Sequence, residues 1–347
     1  MKPFRCQSCS SAIYFENLSC LSCGHALGFD SDELDMATLA PGGHRTFRVL
    51  GRSSCAPKIY CANSKYGVCN WLVDAHDSTG HCRACNLNRL IPNLDKPGAL
   101  EAWAEIERAK KRLTYSLLRF GLPLDGVRTG KSPMSFEFVS DATTGHLDGV
   151  ITIDIDEADE VERTRQRQQL DEPYRTVLGH LRHESGHYYW MLLIEDSKYI
   201  DEFRRLFGDD RVSYADAIRW HHDQGPCPDW QSQFVSAYAS SHPWEDWAET
   251  WAHYLHMVDV IETAQAYRAE PRSESSWLSM VWPFRNPDAY RDIRFQVLME
   301  HWIPLTLVMN GLNRSMGHDD FYPFAIPQKA VEKLEFIHRV IRGSGRT

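Results

Sequence analysis

The sequence predicts an α+β protein in which a small cysteine-rich region precedes a mostly helical domain that carries a small β-sheet. Nine of the ten cysteines lie before residue 86. After residue 171 the apolar residues recur almost everywhere at helical spacing, whereas two short segments before it alternate as strands do. Pro and Gly residues at 92–98 separate the two regions. We therefore expect domains at residues 1–95 and 96–347.

Composition and charge narrow the protein class. The 347 residues are 43% hydrophobic and 24% charged, which suits one large domain with a small appendage. The formal net charge is -9, and residues 1–95 have nine Lys/Arg against eight Asp/Glu, so no basic surplus predicts nucleic-acid binding. The longest apolar run, at 188–194, is too short to cross a membrane, and the N-terminus lacks an export signal. We expect a cytoplasmic protein without a membrane anchor.

The first four cysteines form two C-x-x-C pairs separated by ten residues. In a chain without an export signal, this arrangement favours metal binding over a disulfide framework. Each pair lets two thiolates converge on one tetrahedral zinc ion, and two pairs at this separation are typical of a zinc ribbon. The sequence therefore predicts a structural zinc site formed by Cys6, Cys9, Cys20 and Cys23.

A second cysteine set, within residues 55–85, has looser spacing. Its predicted ligands are Cys61, Cys69, Cys82 and Cys85. Cys55 could replace Cys61, and His81 stands next to Cys82, so the ligand set stays open. Modules this small have little core, so zinc would supply much of their folding free energy. Such ribbons usually have a structural or adhesive role, which leaves room for a protein partner. Outside the ligand sets, Cys55 and Cys227 are expected to be small buried hydrophobic residues.

The second domain begins with an amphipathic segment. Apolar residues recur at helical spacing over 99–120, and the basic residues at 110–112 are interpreted as a solvent-exposed helix face rather than a binding patch. Residues 135–140 (SFEFVS) and 149–155 (GVITIDI) alternate apolar and polar side chains, which predicts two strands.

The segment HESGH carries the most specific chemistry. The residues Asp-Glu-Pro at 171–173 indicate a helix start, and helical spacing continues through 177–194. His183 and His187, at i and i+4, lie one turn apart on one helix face and can share a zinc ion. Glu184 would lie beside the metal as the general base that deprotonates the attacking water. The sequence therefore predicts a catalytic zinc site.

Neighbouring residues limit the type of site. His180 lies one turn before His183, but three histidines at these positions do not converge well, so His180 is expected to support the site or to pack. Trp190 and Leu193 stand where the longer metzincin motif requires glycine and histidine. The third ligand must therefore come from another segment, and the protein is not a metzincin.

The best source of that ligand is the aromatic helix predicted at 242–257, HPWEDWAETWAHYLHM. The pairs Glu245/Glu249 and Glu249/His253 each place one ligand and one supporting group on the same face. Either register is chemically acceptable from the residues alone.

The E-x-x-A-E pattern at 245–249, downstream of H-E-x-x-H, resembles the glutamate helix of gluzincins. That resemblance implies that Glu245 binds zinc and that Glu249 supports the site. With the cysteine pairs and the segment CRACNLNRLIP, these motifs resemble the bacterial family of zinc-ribbon-containing zinc-binding metallopeptidases over nearly the whole chain. The family resemblance implies a zincin-type domain and names no substrate.

Near the C-terminus, the segment NRSMGHDDFYPF at 313–324 is rich in polar groups. Tyr322 or His318 could donate a hydrogen bond to a developing oxyanion. Alternatively, Asp319 and Asp320 begin a helix as capping residues.

These features predict zinc-dependent hydrolysis of a peptide or amide, with one catalytic and one or two structural zinc ions and a protein or peptide substrate. Three alternatives remain: a zinc-binding scaffold without turnover, a protease recruited to nucleic acid by the ribbons, and a hydrolase of a non-peptide amide.

Overall fold

A computed structural model of the chain describes residues 1–52, 56–126, 130–140, 142–159, 176–269 and 288–344. The chain forms two compact units, Met1–Arg119 with Pro133–Gln166, and Phe120–Ser132 with Arg167–Thr347. Cys55 and the helix start expected at 171–173 lie outside the described residues. Within the described ranges, no helix has both the length and the apolar composition needed to cross a membrane. The predicted α+β class is confirmed.

The first unit begins with a small hairpin followed by an antiparallel sheet. Strands β1 (Phe4–Arg5) and β2 (Ala12–Ile13) pair with each other. The five-stranded sheet has the order β3-β4-β5-β6-β7. Its strands are β3 (Ala26–Asp30), β4 (Asp35–Pro41), β5 (Phe47–Val49), β6 (Lys58–Tyr60) and β7 (Leu72–Asp74). Aromatic rings that pack edge to face fill the core beside it, namely Phe4, Phe15, Phe29, Trp71 and Tyr115.

A four-stranded sheet and helix α1 (Ala99–Phe120) follow. The strands are β8 (Asn88–Leu90), β9 (Ser135–Val139), β10 (Gly145–Leu147) and β11 (Val150–Asp154), in the order β10-β11-β9-β8. Strand β9 is parallel to both β8 and β11, whereas β10 and β11 form a hairpin. The two residues that connect β10 to β11, Asp148 and Gly149, both have positive φ angles. Two-residue hairpin turns favour such angles because they match the twist of the strands. The predicted helix and both predicted strands are confirmed.

Two of the basic residues of α1 lie in a different environment from the one predicted from the sequence. Lys110 and Lys111 are buried, so the expected solvent-exposed face is wrong for them. Lys110 Nζ lies 2.7 Å from the buried carboxylate of Glu107, and Lys111 donates to the carbonyl of Val68. Since a buried charge needs a partner, these contacts explain how the two lysines can lie inside the unit.

Every regular element described after residue 176 is helical, as predicted. The helices are α2 (Val177–Leu193), α3 (Ile200–Phe207), α4 (Tyr214–Gln224), α5 (Pro243–Tyr267), α6 (Phe295–Ser315) and α7 (Gln328–Ser344). Side chains cap the two helices that carry the HESGH and glutamate motifs. Thr176 accepts a hydrogen bond from the Gly179 amide, and His242 accepts one from the Trp244 amide.

Helices α2 and α5 lie very close together at Gly186, inside the HESGH motif. A Cβ atom at Gly186 would lie 2.9 Å from the Cα of Ala248. The indole of Trp247 donates to the Gly186 carbonyl at 2.8 Å, and that of Trp251 donates to Ser185 Oγ at 3.2 Å. The absence of a side chain at Gly186 therefore brings the two motif helices together.

Candidate metal centres

The first cysteine cluster has the spacing of a tetrahedral site. One Sγ atom from each of Cys6, Cys9, Cys20 and Cys23 falls in a group whose members lie within 4.8 Å of one another. The Sγ atoms of Cys6 and Cys23 are 3.6 Å apart, as are those of Cys9 and Cys20. Four thiolates at about 2.3 Å from a zinc ion are separated by about 3.8 Å, so the cluster fits zinc.

The second cluster consists of Cys61, Cys69, Cys82 and Cys85, all buried. The Sγ atoms of Cys69 and Cys82 are 3.7 Å apart, and three backbone amides, including that of Trp71 at 3.4 Å, point to the sulfurs. Amide donors stabilise thiolates, as a zinc site requires. The Nδ1 atom of His81 instead lies 2.9 Å from the Thr79 carbonyl. The described part of the chain thus contains two clusters of four cysteines each.

The third group lies where α2 and α5 meet. His183 Nε2 is 3.0 Å from Glu245 Oε2, and His187 Nε2 is 3.5 Å from Glu245 Oε1. The three residues each offer one ligand atom, and these atoms lie within 4.8 Å of one another. The i, i+4 spacing puts both imidazoles on one face of α2, and the first turn of α5 places the Glu245 carboxylate, which is 1% exposed, against that face. Two imidazoles and one carboxylate are the donor set of many catalytic zinc sites.

Glu249 meets the other ring nitrogen of His183. Its Oε1 lies 2.7 Å from His183 Nδ1, and its Oε2 accepts a hydrogen bond of 2.7 Å from Ser236. Burial lowers the pKa of His183, but the carboxylates of Glu245 and Glu249 outweigh it and raise that pKa well above its ordinary value. A carboxylate on Nδ1 fixes the ring and leaves Nε2 free to bind a metal.

Glu184 lies beside this group without belonging to it. Its Oε1 is 3.4 Å from His180 Nε2, so His180 lies next to the predicted general base. Burial raises the pKa of Glu184, but the neighbouring imidazoles of His180 and His183 lower it overall. Its Oε2 is buried and has no hydrogen-bond partner among the described residues. A buried acceptor of this kind is costly unless water or a metal site satisfies it.

Two tyrosines border the group, and neither was predicted from the sequence. The Tyr214 hydroxyl, at the start of α4, donates to Glu245 Oε1 at 2.8 Å. The ring of Tyr238 lies 6.1 Å from that of His183. Burial, with the nearby Glu245 carboxylate, raises the pKa of both phenols above the ordinary value of 10.0, so each stays protonated at neutral pH. No motif marks either residue.

The two residues predicted near the C-terminus are Tyr322 and His318. The Tyr322 hydroxyl is 2.5 Å from Nδ1 of His253, two turns beyond Glu245 on α5. His318 is exposed in the segment after α6. The alternative prediction, a helix start at Asp319 and Asp320, is wrong because the next described helix, α7, begins at Gln328. Asp320 instead pairs with Arg314 near the end of α6.

Comparisons with known proteins support zinc binding in both regions of the chain. Residues 3–96 match a family described as a zinc-ribbon domain. Three uncharacterized proteins, two from Mycobacterium tuberculosis and one from Mycobacterium bovis, are each 40% identical to this chain over 349 residues, covering 98% of the chain and 95% of the relative. No solved structure matches. Residues 99–340 match the family described as "Putative zinc-binding metallo-peptidase", and the chain belongs to that family.

Proposed function

We propose that the chain is a zinc-dependent hydrolase of peptide or amide bonds, with His183, His187 and Glu245 as the metal ligands. The observation that carries this proposal is the convergence of two Nε2 atoms and one carboxylate, next to a Glu184 oxygen that has no partner among the residues the structure describes. Zinc, when bound, supplies a Lewis acid that lowers the pKa of a bound water to about 7.

Glu184 is the general base in this proposal. Its buried Oε2 can accept the proton of the attacking water, and the carboxyl group can return that proton to the leaving amine. Glu249 orients His183 through Nδ1, which makes Glu245 the ligand of the pair and gives the site a gluzincin-type arrangement. His180 positions the Glu184 carboxylate.

We also propose Tyr238 as the oxyanion donor, in place of Tyr322 or His318. Tyr238 packs against the ring of His183, and its protonated phenol can donate to a carbonyl oxygen that gains charge during attack. The Tyr322 hydroxyl lies 2.5 Å from Nδ1 of His253, so it already has a partner. This contact favours Tyr238 over Tyr322 as the donor. The Tyr214 phenol already donates to Glu245 and therefore acts as a positioning group.

The test compares zinc content and turnover in the same samples. Wild type should hold three zinc ions per chain, His183→Ala two, and Glu184→Gln three. A library of internally quenched peptides should be cleaved by wild type, while Glu184→Gln should lose at least about a hundredfold in rate. Unchanged zinc in His183→Ala refutes the ligand assignment. Equal rates for wild type and Glu184→Gln refute the role of Glu184.

The scaffold alternative has a separate outcome. If wild type holds three zinc ions and cleaves neither peptides nor small amides, the site binds metal without turnover. That result would retain the ligand assignment and reject the hydrolase.

A further inference from the structure

Helix α1 holds two buried ammonium groups beside one carboxylate. The side chains of Lys110 and Glu107 are fully buried, and that of Lys111 is 7% exposed. The Glu107 carboxylate lies 2.7 Å from Lys110 Nζ and 3.9 Å from Lys111 Nζ, and it is the one carboxylate at ion-pair distance from either lysine within the described ranges. These two lysines, the α1 lysine pair, therefore leave one positive charge without a counter-charge, which is costly in a protein interior.

Both members of the α1 lysine pair contact segments that carry the second cysteine cluster. Lys111 donates a hydrogen bond to the carbonyl of Val68, which directly precedes one cluster cysteine. Lys110 donates to the side chain of Asn88, three residues after the last cluster cysteine. The pair and the four buried sulfur atoms thus lie in the same interior.

The charge of Lys110 also acts on a cluster thiol. Hydrogen bonds among the cluster thiols have the largest effects on the pKa of Cys85, since the one with Cys61 raises it and the others lower it. The nearby Lys110 charge lowers this pKa further, and it falls below its ordinary value despite burial. A cation near a thiol stabilises the thiolate, which is the form that binds metal.

Zinc in the second cluster would supply the missing negative charge. A zinc ion with four thiolates carries two negative charges overall. Without the α1 lysine pair, the loaded cluster and Glu107 would bury three negative charges with no counter-charge, whereas with the pair only one remains. This difference is large in energy because charges inside a protein are screened far less than charges in water.

We propose that the α1 lysine pair is the counter-charge of zinc in the second cluster and strengthens zinc binding there. The proposal rests on zinc occupying this cluster and does not depend on hydrolysis at the histidine site. It also assigns a new role to α1. That helix, Ala99–Phe120, begins the segment that matches the metallopeptidase family, yet it would support a metal centre of the preceding zinc-ribbon segment.

Chelator challenge of the zinc-loaded full chain tests this proposal. At each EDTA concentration, free thiols are alkylated with N-ethylmaleimide, and mass spectrometry of the cysteine peptides reports the two clusters separately. Lys111→Met removes one positive charge and keeps an unbranched side chain. The EDTA concentration that half-empties the second cluster should then fall about tenfold or more, while the first cluster should respond as in wild type.

The matched control is Lys65→Met. Lys65 is exposed on the helical turn Ala62–Tyr66, between two cysteines of the same cluster, so its replacement removes the same charge from the same region without touching the interior. This variant should release zinc as wild type does. Lys111→Arg retains the positive charge and should also hold zinc like wild type. Circular dichroism verifies that all variants fold.

Glu107→Gln separates the effect of charge from that of packing. The amide keeps an oxygen that can accept the hydrogen bonds of Trp103 and Asn88, but it removes a negative charge near the cluster. The second cluster should therefore need several-fold more EDTA to lose its zinc, whereas a loss of packing alone would weaken zinc binding in both Glu107→Gln and Lys111→Met.

Three results would overturn the proposal. One is a wild type whose second cluster holds no zinc. Another is a Lys111→Met variant whose second cluster empties at the wild-type EDTA concentration. The third is weaker zinc binding in both Lys111→Met and Glu107→Gln, or parallel loss from both cysteine clusters in Lys111→Met, because α1 would then act through packing and not through charge.

Discussion

Replacing Gly186 by alanine tests whether the close approach of α2 and α5 holds the metal site together. The added Cβ would lie 2.9 Å from the Cα of Ala248 and 3.3 Å from the Cβ of Trp251, so backbone must move rather than a flexible side chain. Overpacking of this kind costs about 1–3 kcal/mol. The better helix propensity of alanine offsets about 0.5–1 kcal/mol. We expect a net loss of roughly 1–2 kcal/mol in the free energy of unfolding.

The same displacement moves the two histidines of α2 away from Glu245. We expect the zinc dissociation constant of Gly186→Ala to rise about tenfold. Removing a group that hydrogen-bonds to a metal ligand weakens metal binding by a similar factor. Urea unfolding gives the first quantity, and competition with a chromophoric chelator gives the second. Gly311→Ala, in helix α6, is the control. Its free energy of unfolding should rise by about 0.5–1 kcal/mol, because the added Cβ would meet no heavy atom within 4 Å. A Gly186→Ala variant with wild-type stability and zinc affinity would refute this reasoning.

Two other predictions concern catalysis and acid stability. Tyr238→Phe should keep all zinc ions and lower kcat by about 10²-fold, whereas Tyr322→Phe should lower kcat far less. Steady-state rates and metal analysis of both variants test this prediction. Equal effects on kcat would reject Tyr238 as the donor. Burial, with the nearby Arg342 charge, lowers the pKa of His338 from 6.5 to about 4, and its Nδ1 lies 2.8 Å from the Tyr254 hydroxyl. Because the folded pKa is depressed, His338 binds fewer protons in the folded state, and stability is lost as pH falls from 6.5 towards 4. His338→Gln should reduce this loss by up to about 3 kcal/mol in urea titrations, and an unchanged pH profile would contradict the assignment.

Local patterns were sufficient to predict much of the fold. The helix at Ala99–Phe120 and the strands around 135–139 and 150–154 follow from hydrophobic periodicity, which reports burial on one face. The first four-cysteine cluster follows from spacing, because two residues between cysteines is a geometric requirement of the knuckle, whereas spacing left the ligands of the second cluster open. These features depend on residues that are close in sequence.

Features that depend on tertiary packing were missed. Lys110 has a charged side chain but lies in the interior, where Glu107 and the rings of Phe136 and Phe138 surround its ammonium group. Tyr214 and Tyr238 reach Glu245 and His183 from segments without a motif. Their approach is set by how α4 and the turn before α5 pack, which periodicity does not encode.

The two glutamates of α5 illustrate the same limit within the site. Glu245 and Glu249 are one turn apart on one face, so the sequence left both ligand registers open. In the structure, Glu245 lies near the Nε2 atoms of His183 and His187, whereas Glu249 lies at Nδ1 of His183. Which nitrogen each carboxylate meets depends on the offset between α2 and α5, and therefore on the contact at Gly186.

The proposed function depends on one assignment, in which His183, His187 and Glu245 bind a catalytic zinc ion and Glu249 supports His183. Its most direct test is the zinc content and affinity of Glu245→Gln and Glu249→Gln beside wild type. We predict that Glu249→Gln keeps three zinc ions per chain with about 10- to 100-fold weaker binding of one of them, and that Glu245→Gln keeps only the two cysteine-bound ions. Three tightly bound ions in Glu245→Gln, or the loss of one only in Glu249→Gln, would contradict the account.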